Sequence, residues 1–309
     1  MPKETEKIFQ EFQKYMEDHP DKADSLEDLN ELIGSFVEQY NQNLPFSRQP
    51  VTEATAKTSG DYLELAENAR NEAQALKYVK QALKLDPDNL DAEVFMTGLT
   101  ARSADDHVRK LKKVVEHGKQ ILEKEGFFDK EYIGDFWGFW ETRPYMRARN
   151  EYIQMLLETG KMRAAQSECE DMLRLCEGDN LGVRYILMHI YAYLEEDEEA
   201  LKLHERFEKS EETQMLLPLS ILYYKLDQED RAEEYLHRLI KVNPDTRKFI
   251  RGLNNGEAEK LIENFSDFGY RPFTIEELMT EMVQNEFLFG ANTSYVPWAA
   301  QHLTIKKKN

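Results

Sequence analysis

The segment EAQALKYVKQALKLDPDNLDA, residues 72–92, decides the fold of this chain. It places Ala75, Val79, Ala82 and Pro87 at successive spacings of four, three and five residues. Spacings of three and four bring side chains onto one face of an α-helix. Proline disfavours continuation of a helix, because it lacks an amide hydrogen. The segment therefore predicts a helix with an apolar seam that packs against a neighbouring helix and ends near the proline.

The same spacing recurs further along the chain. AEEYLHRLIKVNPDT, residues 232–246, repeats it in full, and AAQSECEDMLRLCEGDN and EEALKLHERFEK keep most of it. The three later copies begin at Ala165, Ala200 and Ala232, which are 35 and 32 residues apart. A recurring helix at this period predicts a stack of structural repeats. The shared seam positions are Ala165, Cys169 and Met172, then Ala200, His204 and Phe207, then Ala232, Leu236 and Leu239.

These segments resemble the second helix of the tetratricopeptide repeat, whose usual length is about 34 residues. Apolar residues precede the predicted turns at Gly160, Glu195 and Asp227 with the rhythm of a first helix. The resemblance implies an all-α, tetratricopeptide-like solenoid, a right-handed superhelix of antiparallel helix pairs. We expect about five pairs over residues 61–250, including a degenerate pair before an aromatic insert at 126–145. Pro218 predicts a kink or a later start in the last first helix.

The two ends of the chain lie outside the repeat pattern. Residues 1–43 and 251–309 both contain amphipathic stretches with capping residues, at Ser25 and Thr274. A stack of repeats exposes its terminal faces unless other helices cover them. We therefore expect a helical cap at each end, with residues 44–60 as a linker because of their polar, proline-containing composition.

Composition argues against two classes of partner. The chain has 40 Lys and Arg against 59 Asp and Glu, a formal charge of −19, which would repel a phosphate backbone over most of the surface. No apolar run approaches the roughly 20 residues that span a bilayer, and the N-terminus lacks the pattern of a signal peptide. We expect neither a nucleic-acid partner nor a membrane segment.

The two cysteines fit a cytoplasmic location. Cys169 and Cys176 are seven residues apart on one predicted helix, so their α-carbons would be about 10 Å apart along the axis. That distance is too long for a disulfide. We expect both to be reduced thiols in the core, as is usual for a cytoplasmic protein.

The tetratricopeptide resemblance also implies a ligand groove along the first helices. Its groove positions fall on aromatic, amide and basic residues, a composition that suits an extended peptide because amides pair with its backbone and rings hold its side chains. A histidine at one of these positions would make binding sensitive to pH. The predicted binding residues are Arg147, Asn150, Gln154, Tyr185, His189, Tyr193 and Tyr224.

The aromatic insert allows two interpretations. Its rings, followed by Arg143, Arg147 and Arg149, could clamp a ligand that carries a carboxylate. Alternatively the rings fill the space where two repeats stack irregularly.

Two motifs make the resemblance more specific. FWGFWETRPYMRA, residues 136–148, and GDNLGVRYILMHIYAYLEEDEEA, residues 178–200, resemble a group of bacterial tetratricopeptide proteins and, more distantly, the suppression-of-tumorigenicity family of eukaryotes. The resemblance implies that Glu141, Arg143 and Arg184 belong to a structural charge network. Whether these three residues also bind a ligand stays open at this point.

The sequence contains none of the common catalytic, phosphate-binding or metal-binding motifs. We therefore predict no enzyme activity, no cofactor and no metal site. The predicted function is a scaffold that binds a protein or an extended peptide in the groove. One alternative is a peptide-responsive regulatory protein without a DNA-binding domain of its own. Another is an enzyme with a site near the aromatic insert.

Overall fold

The computed structural model describes residues 51–263, 265 and 269–304 of the chain. Before residue 51 it describes only positions 6, 8, 9, 12, 15, 16, 19, 32–38 and 40. Most of the predicted N-terminal cap, including the predicted start at Ser25, lies outside the described residues. Residues 44–50 of the predicted linker also lie outside them, whereas its residues 51–60 are described.

The prediction of an all-α chain is confirmed for the described residues. They contain no β-strand, and only two isolated bridges link Gly134 and Asp135 to Cys176. Fifteen helices lie between residues 51 and 304 of the described chain. They are α1 Ser59–Glu67, α2 Glu72–Leu85, α3 Leu90–Thr100, α4 Ala104–Lys124, α5 Arg143–Glu158, α6 Met162–Leu175, α7 Val183–Leu194, α8 Asp197–Arg206, α9 Thr213–Lys225, α10 Glu229–Val242, α11 Thr246–Asn254, α12 Ala258–Ile262, α13 Ile275–Gln284, α14 Glu286–Ala291 and α15 Tyr295–Gln301.

The chain forms two compact units made of interleaved segments. Unit 1 contains residues 1–102, 113–127 and 136–148, and unit 2 contains residues 103–112, 128–135 and 149–309.

Unit 1 is built on the helix predicted from residues 72–92. Thr58 starts α1 by accepting a hydrogen bond from the Asp61 amide at 3.1 Å, and Asn71 starts α2 in the same way. The predicted seam of α2 is buried, since Val79 and Ala82 are fully inaccessible to solvent. The core of the first two helix pairs consists of Leu63, Ala66, Tyr78, Val79, Ala82 and Ala92.

Three consecutive helix pairs with buried seams, α5–α6, α7–α8 and α9–α10, lie in unit 2 from residue 149 onward. Ala165, Ala200 and Ala232, the alanines that define the repeat in the sequence, are all fully buried. Their small size allows the two helices of each pair to approach closely. Pro218 is also buried, and α9 runs from Thr213 to Lys225 with this proline inside it. The helix therefore starts before the proline rather than after it.

The same turn closes the first helix of each of these three pairs. Gly160, Glu195 and Asp227 occupy it with φ of +70°, +63° and +57°, a left-handed conformation. Their spacings of 35 and 32 residues equal those of the buried alanines. After each of them, an amide donates to the carbonyl five residues earlier, as in the Schellman motif that ends helices. These bonds join Lys161 to Leu156 at 2.8 Å, Glu196 to Tyr191 at 3.0 Å and Gln228 to Tyr223 at 2.9 Å.

Replacing Asp227 by glycine should stabilise unit 2. A residue with a side chain loses about 1 kcal/mol in the left-handed region, and glycine does not. We expect Asp227→Gly to raise the free energy of unfolding by about 0.5 to 1 kcal/mol. Glu234→Gly, at an exposed position inside α10, should lower it by about 1 kcal/mol. Chemical denaturation checks both values, and equal destabilisation by the two glycines would contradict the turn assignment.

Candidate functional site

Unit 2 presents most of the predicted binding residues on the first helices of its pairs. Asn150 and Gln154 lie on α5, where the first is partly buried and the second exposed. Tyr185, His189 and Tyr193 lie on α7, and Tyr224 lies on α9. We call these six residues the first-helix face. Arg147 belongs to unit 1 and is described separately.

Arg147 is held by two carboxylates of unit 1. Its guanidinium donates two hydrogen bonds to Glu6, at 2.7 and 2.9 Å, and two to Asp91, at 2.9 and 2.6 Å. The arginine is mostly buried, and Glu6 is almost completely so. Both bidentate contacts are of the strong, charge-assisted type. Arg147 therefore joins the N-terminal segment to α3 and α5, and its donors already have acceptors in the chain.

The other two arginines after the aromatic insert also have internal partners. Arg149 is only 3% exposed and contacts Glu168 and Asp171 of α6, each at 2.6 Å. Arg143 donates from Nε to the Trp137 carbonyl at 2.9 Å. These contacts favour the interpretation in which the basic residues support the structure over the one in which they clamp a ligand.

The insert itself consists of turns around two buried rings. Phe136 is fully buried, Tyr145 is nearly so, and their ring centroids lie 6.5 Å apart. The buried Thr142 hydroxyl donates to the carbonyls of Phe136 and Phe139. The insert is thus tied to the start of α5. Phe136 and Tyr145 are therefore part of the core of unit 1.

Arg184 lies in a charge network at the start of α7. It contacts the buried Asp179 at 3.0 Å and Glu212 at 3.8 Å. Asp179 also accepts the Val183 amide at 2.7 Å, which places a carboxylate at the positive end of the helix. Tyr185 accepts a hydrogen bond from Arg184 and donates one to Glu212 at 3.0 Å. Arg184 therefore forms a local network with Asp179, Tyr185 and Glu212.

Glu141, the third residue of the implied network, is partly buried. Burial raises the pKa of its carboxyl above 4.5, and the charge of Glu125 adds to this effect. The charge of Arg143 acts in the opposite direction.

The C-terminal helices cover three of the predicted binding residues. Tyr193 meets Phe287 edge-on, with ring centroids 5.6 Å apart. Tyr224 lies 5.6 Å from Tyr295 and 5.1 Å from Trp298, also between ring centroids. His189 is fully buried, and its Nε2 lies 3.4 Å from Glu281 of α13. Helices α13, α14 and α15 thus lie against the first helices α7 and α9. The sequence pattern predicts only that they cap the end of the stack.

Two glutamates fix α13 in this position. Glu277 accepts hydrogen bonds from the Thr213 hydroxyl at 2.6 Å and from the Phe273 amide at 2.8 Å. Glu281, one helical turn later, accepts from the Gln214 side chain. Burial raises the pKa of Glu277 above 4.5 and that of Glu281 to about 8. At neutral pH Glu281 is therefore mostly protonated, which removes the cost of burying its charge.

His189 completes this polar cluster as a neutral side chain. Its Nδ1 donates to the Tyr185 carbonyl at 2.8 Å, which leaves Nε2 as an acceptor facing Glu281. Nε2 has no hydrogen-bond partner among the described residues, because 3.4 Å to Glu281 is a contact without hydrogen-bond geometry. Burial lowers the pKa of His189 to about 4. The buried position makes this histidine part of the contact with α13, whereas the sequence suggested a ligand-facing residue.

The polar cluster should make the stability of the protein depend on pH. The pKa of Glu281 is higher in the folded state than its ordinary value of 4.5, so the protein takes up a proton on folding. The free energy of unfolding therefore falls as pH rises from about 5 through 8. Glu281→Gln keeps an acceptor for the Gln214 side chain but cannot ionise. We expect the variant to lose less stability than the wild type between pH 6 and 9.

Urea denaturation at pH 6, 7.5 and 9 measures this difference. Glu286→Gln, at an exposed position on α14, is the matched control and should follow the wild type at each pH. Parallel curves for Glu281→Gln and the wild type would show that Glu281 is not buried as a neutral acid.

The described residues offer no obvious reactive centre. They contain no group of three or more His, Cys, Asp or Glu side chains placed to hold a metal ion. Cys169 and Cys176 are free and buried, and burial raises the pKa of the Cys169 thiol. Such a thiol is a poor nucleophile. Among the described helices, none has the length and apolar character required to cross a bilayer.

Comparison with known proteins adds no assignment. No protein-family model matches the chain, and no curated protein matches it either.

Proposed function

We propose that this chain is a non-enzymatic, cytoplasmic scaffold of tetratricopeptide type that binds a protein or an extended peptide. The main support for the proposal is the position of α13 to α15 against α7 and α9. Because the first-helix face already holds one polypeptide segment of the chain, it has a shape that suits another. The identical turns at Gly160, Glu195 and Asp227 support the repeat type, because three consecutive pairs share them at the spacing of the sequence repeat.

The proposal assigns different roles to the predicted binding residues. His189, Tyr193 and Tyr224 hold the chain's own C-terminal helices, and Arg147 holds Glu6 and Asp91. A tethered segment competes at a high effective concentration, so a partner in solution would rarely displace it. We therefore assign partner binding to Asn150 and Gln154 of α5, whereas the Tyr185 hydroxyl is paired with Arg184 and Glu212. Amide side chains there suit the backbone of an extended peptide.

The cytoplasmic part of the proposal is supported by the two free thiols. Both cysteines are buried and form no disulfide with each other, which is the usual state in a reducing compartment.

A double variant tests the binding assignment. Asn150→Ala with Gln154→Ala should reduce capture of partner proteins by about tenfold, because loss of two hydrogen bonds costs on the order of 1.4 kcal/mol or more. Gln284→Ala with Gln301→Ala removes two exposed amides from α13 and α15 and should leave capture unchanged. Affinity capture with quantitative mass spectrometry compares the full-length proteins.

A photo-crosslinking residue at position 154 provides a second readout. It should label the same partner that the double variant loses. Undiminished capture by Asn150→Ala with Gln154→Ala, together with no crosslink from position 154, would contradict the assignment.

A further inference from the structure

A basic cleft lies at the surface of unit 2. Its lining residues fall within 244–263 and are separate in sequence from the residues assigned to partner binding. It has a volume of about 650 Å³, within the range of small-ligand sites. Four basic side chains and two glutamates line it, a balance of two positive charges in a chain whose formal charge is −19. The charged lining residues are Arg247, Lys248, Arg251, Lys260, Glu257 and Glu263.

The pairing inside the cleft leaves most of this positive charge unneutralised. Lys260 contacts Glu257 at 2.7 Å. Lys248 and Arg251 are exposed and form no ion pair with any residue that the structure describes. Arg247 donates from Nε to the Leu303 carbonyl at 3.4 Å, a contact that orients the guanidinium without neutralising it. Three cations of α11 therefore face the cleft with Glu263 as the remaining carboxylate.

Helix α11 holds its three cations close together. Residues 247 and 251 are one turn apart, and residue 248 lies about 100° from residue 247 around the axis. Like charges three and four residues apart, as at 248/251 and 247/251, repel and destabilise an isolated helix. Phe249 and Ile250, on the same helix, are fully buried. The buried side anchors α11, so the cations stay together despite their repulsion.

The charge of the cleft matches that of one phosphate group. A phosphate monoester carries about −1.5 to −2 charges at pH 7, whereas a single carboxylate carries one. Arginine is suited to this recognition because its planar guanidinium can donate two parallel hydrogen bonds to an oxyanion. The buried Leu261 and Gly252 add an apolar part to the lining, which could contact the carbon atoms next to the phosphate.

We propose that the cleft between α11 and α12 binds a phosphate group, with Arg247, Lys248 and Arg251 as its ligands. The phosphate belongs either to a small molecule or to a phosphorylated side chain of a protein. This site is independent of the peptide-binding role assigned to Asn150 and Gln154.

Calorimetric titration of the full-length protein tests the site with two probes. One probe is inorganic pyrophosphate, and the other is a phosphoserine peptide beside its unphosphorylated form. We expect binding of at least one phosphorylated probe, weakening as the salt concentration rises. The tighter of the two identifies the source of the phosphate.

Two variants with a matched control make the test specific. Arg247→Ala with Arg251→Ala should weaken binding about tenfold or more. Lys80→Ala with Lys84→Ala removes two exposed cations at the same spacing on α2 and should leave binding unchanged. Because Arg247 also contacts Leu303, Lys248→Glu serves as a second variant at an exposed position and should weaken binding to a similar extent.

Three results would overturn the proposal. They are no binding of either phosphorylated probe at millimolar concentration, equal weakening by the α2 control and the α11 variant, and equal measurable binding of the phosphorylated and unphosphorylated peptides without binding of pyrophosphate. Circular dichroism of each variant verifies that it is folded before titration.

Discussion

Close approach of two helices at a buried alanine is the contact on which the structure of unit 2 depends. Ala165, Ala200 and Ala232 are completely buried in the second helices of consecutive pairs. A larger side chain there would force the helices apart, and overpacking of this kind costs about 1–3 kcal/mol. The left-handed turn before each second helix sets its direction. Together the alanine and the turn place the first helices side by side, which creates the face that α13 to α15 cover.

Covering that face requires polar groups to be buried as well as rings. Tyr193 and Tyr224 contribute aromatic contacts with α14 and α15, whereas α13 brings Glu277 and Glu281 into the core. A buried carboxylate without partners would be costly, and the structure avoids this cost by supplying side-chain donors and by favouring the protonated acid at Glu281. The polar cluster also fixes the register of α13, because a shift along the helix would separate both glutamates from their donors.

The sequence was sufficient for the helix pairs but not for the position of the C-terminal helices. Alanine spacing and turn positions are local signals, so the seams and the turns at Gly160, Glu195 and Asp227 could be predicted. The contact between α13 and α7 joins residues about 90 positions apart, and a single sequence contains no local signal for it. The glutamates of α13, one turn apart in a helix with buried Leu278 and Met279, were a sign that a polar partner was needed. The structure places His189 in the core, although its position in the repeat suggested a groove.

Hydrogen exchange of the full-length protein, followed by mass spectrometry, tests most directly whether the C-terminal helices cover α7 and α9. Amide protection reports how often a segment leaves its folded position. If these helices cover α7 and α9, residues 275–284 and 295–301 exchange as slowly as α9, since all three segments share the same buried contacts. Rapid exchange of the two C-terminal segments, while α9 remains protected, would contradict this arrangement and would return His189, Tyr193 and Tyr224 to an open binding face.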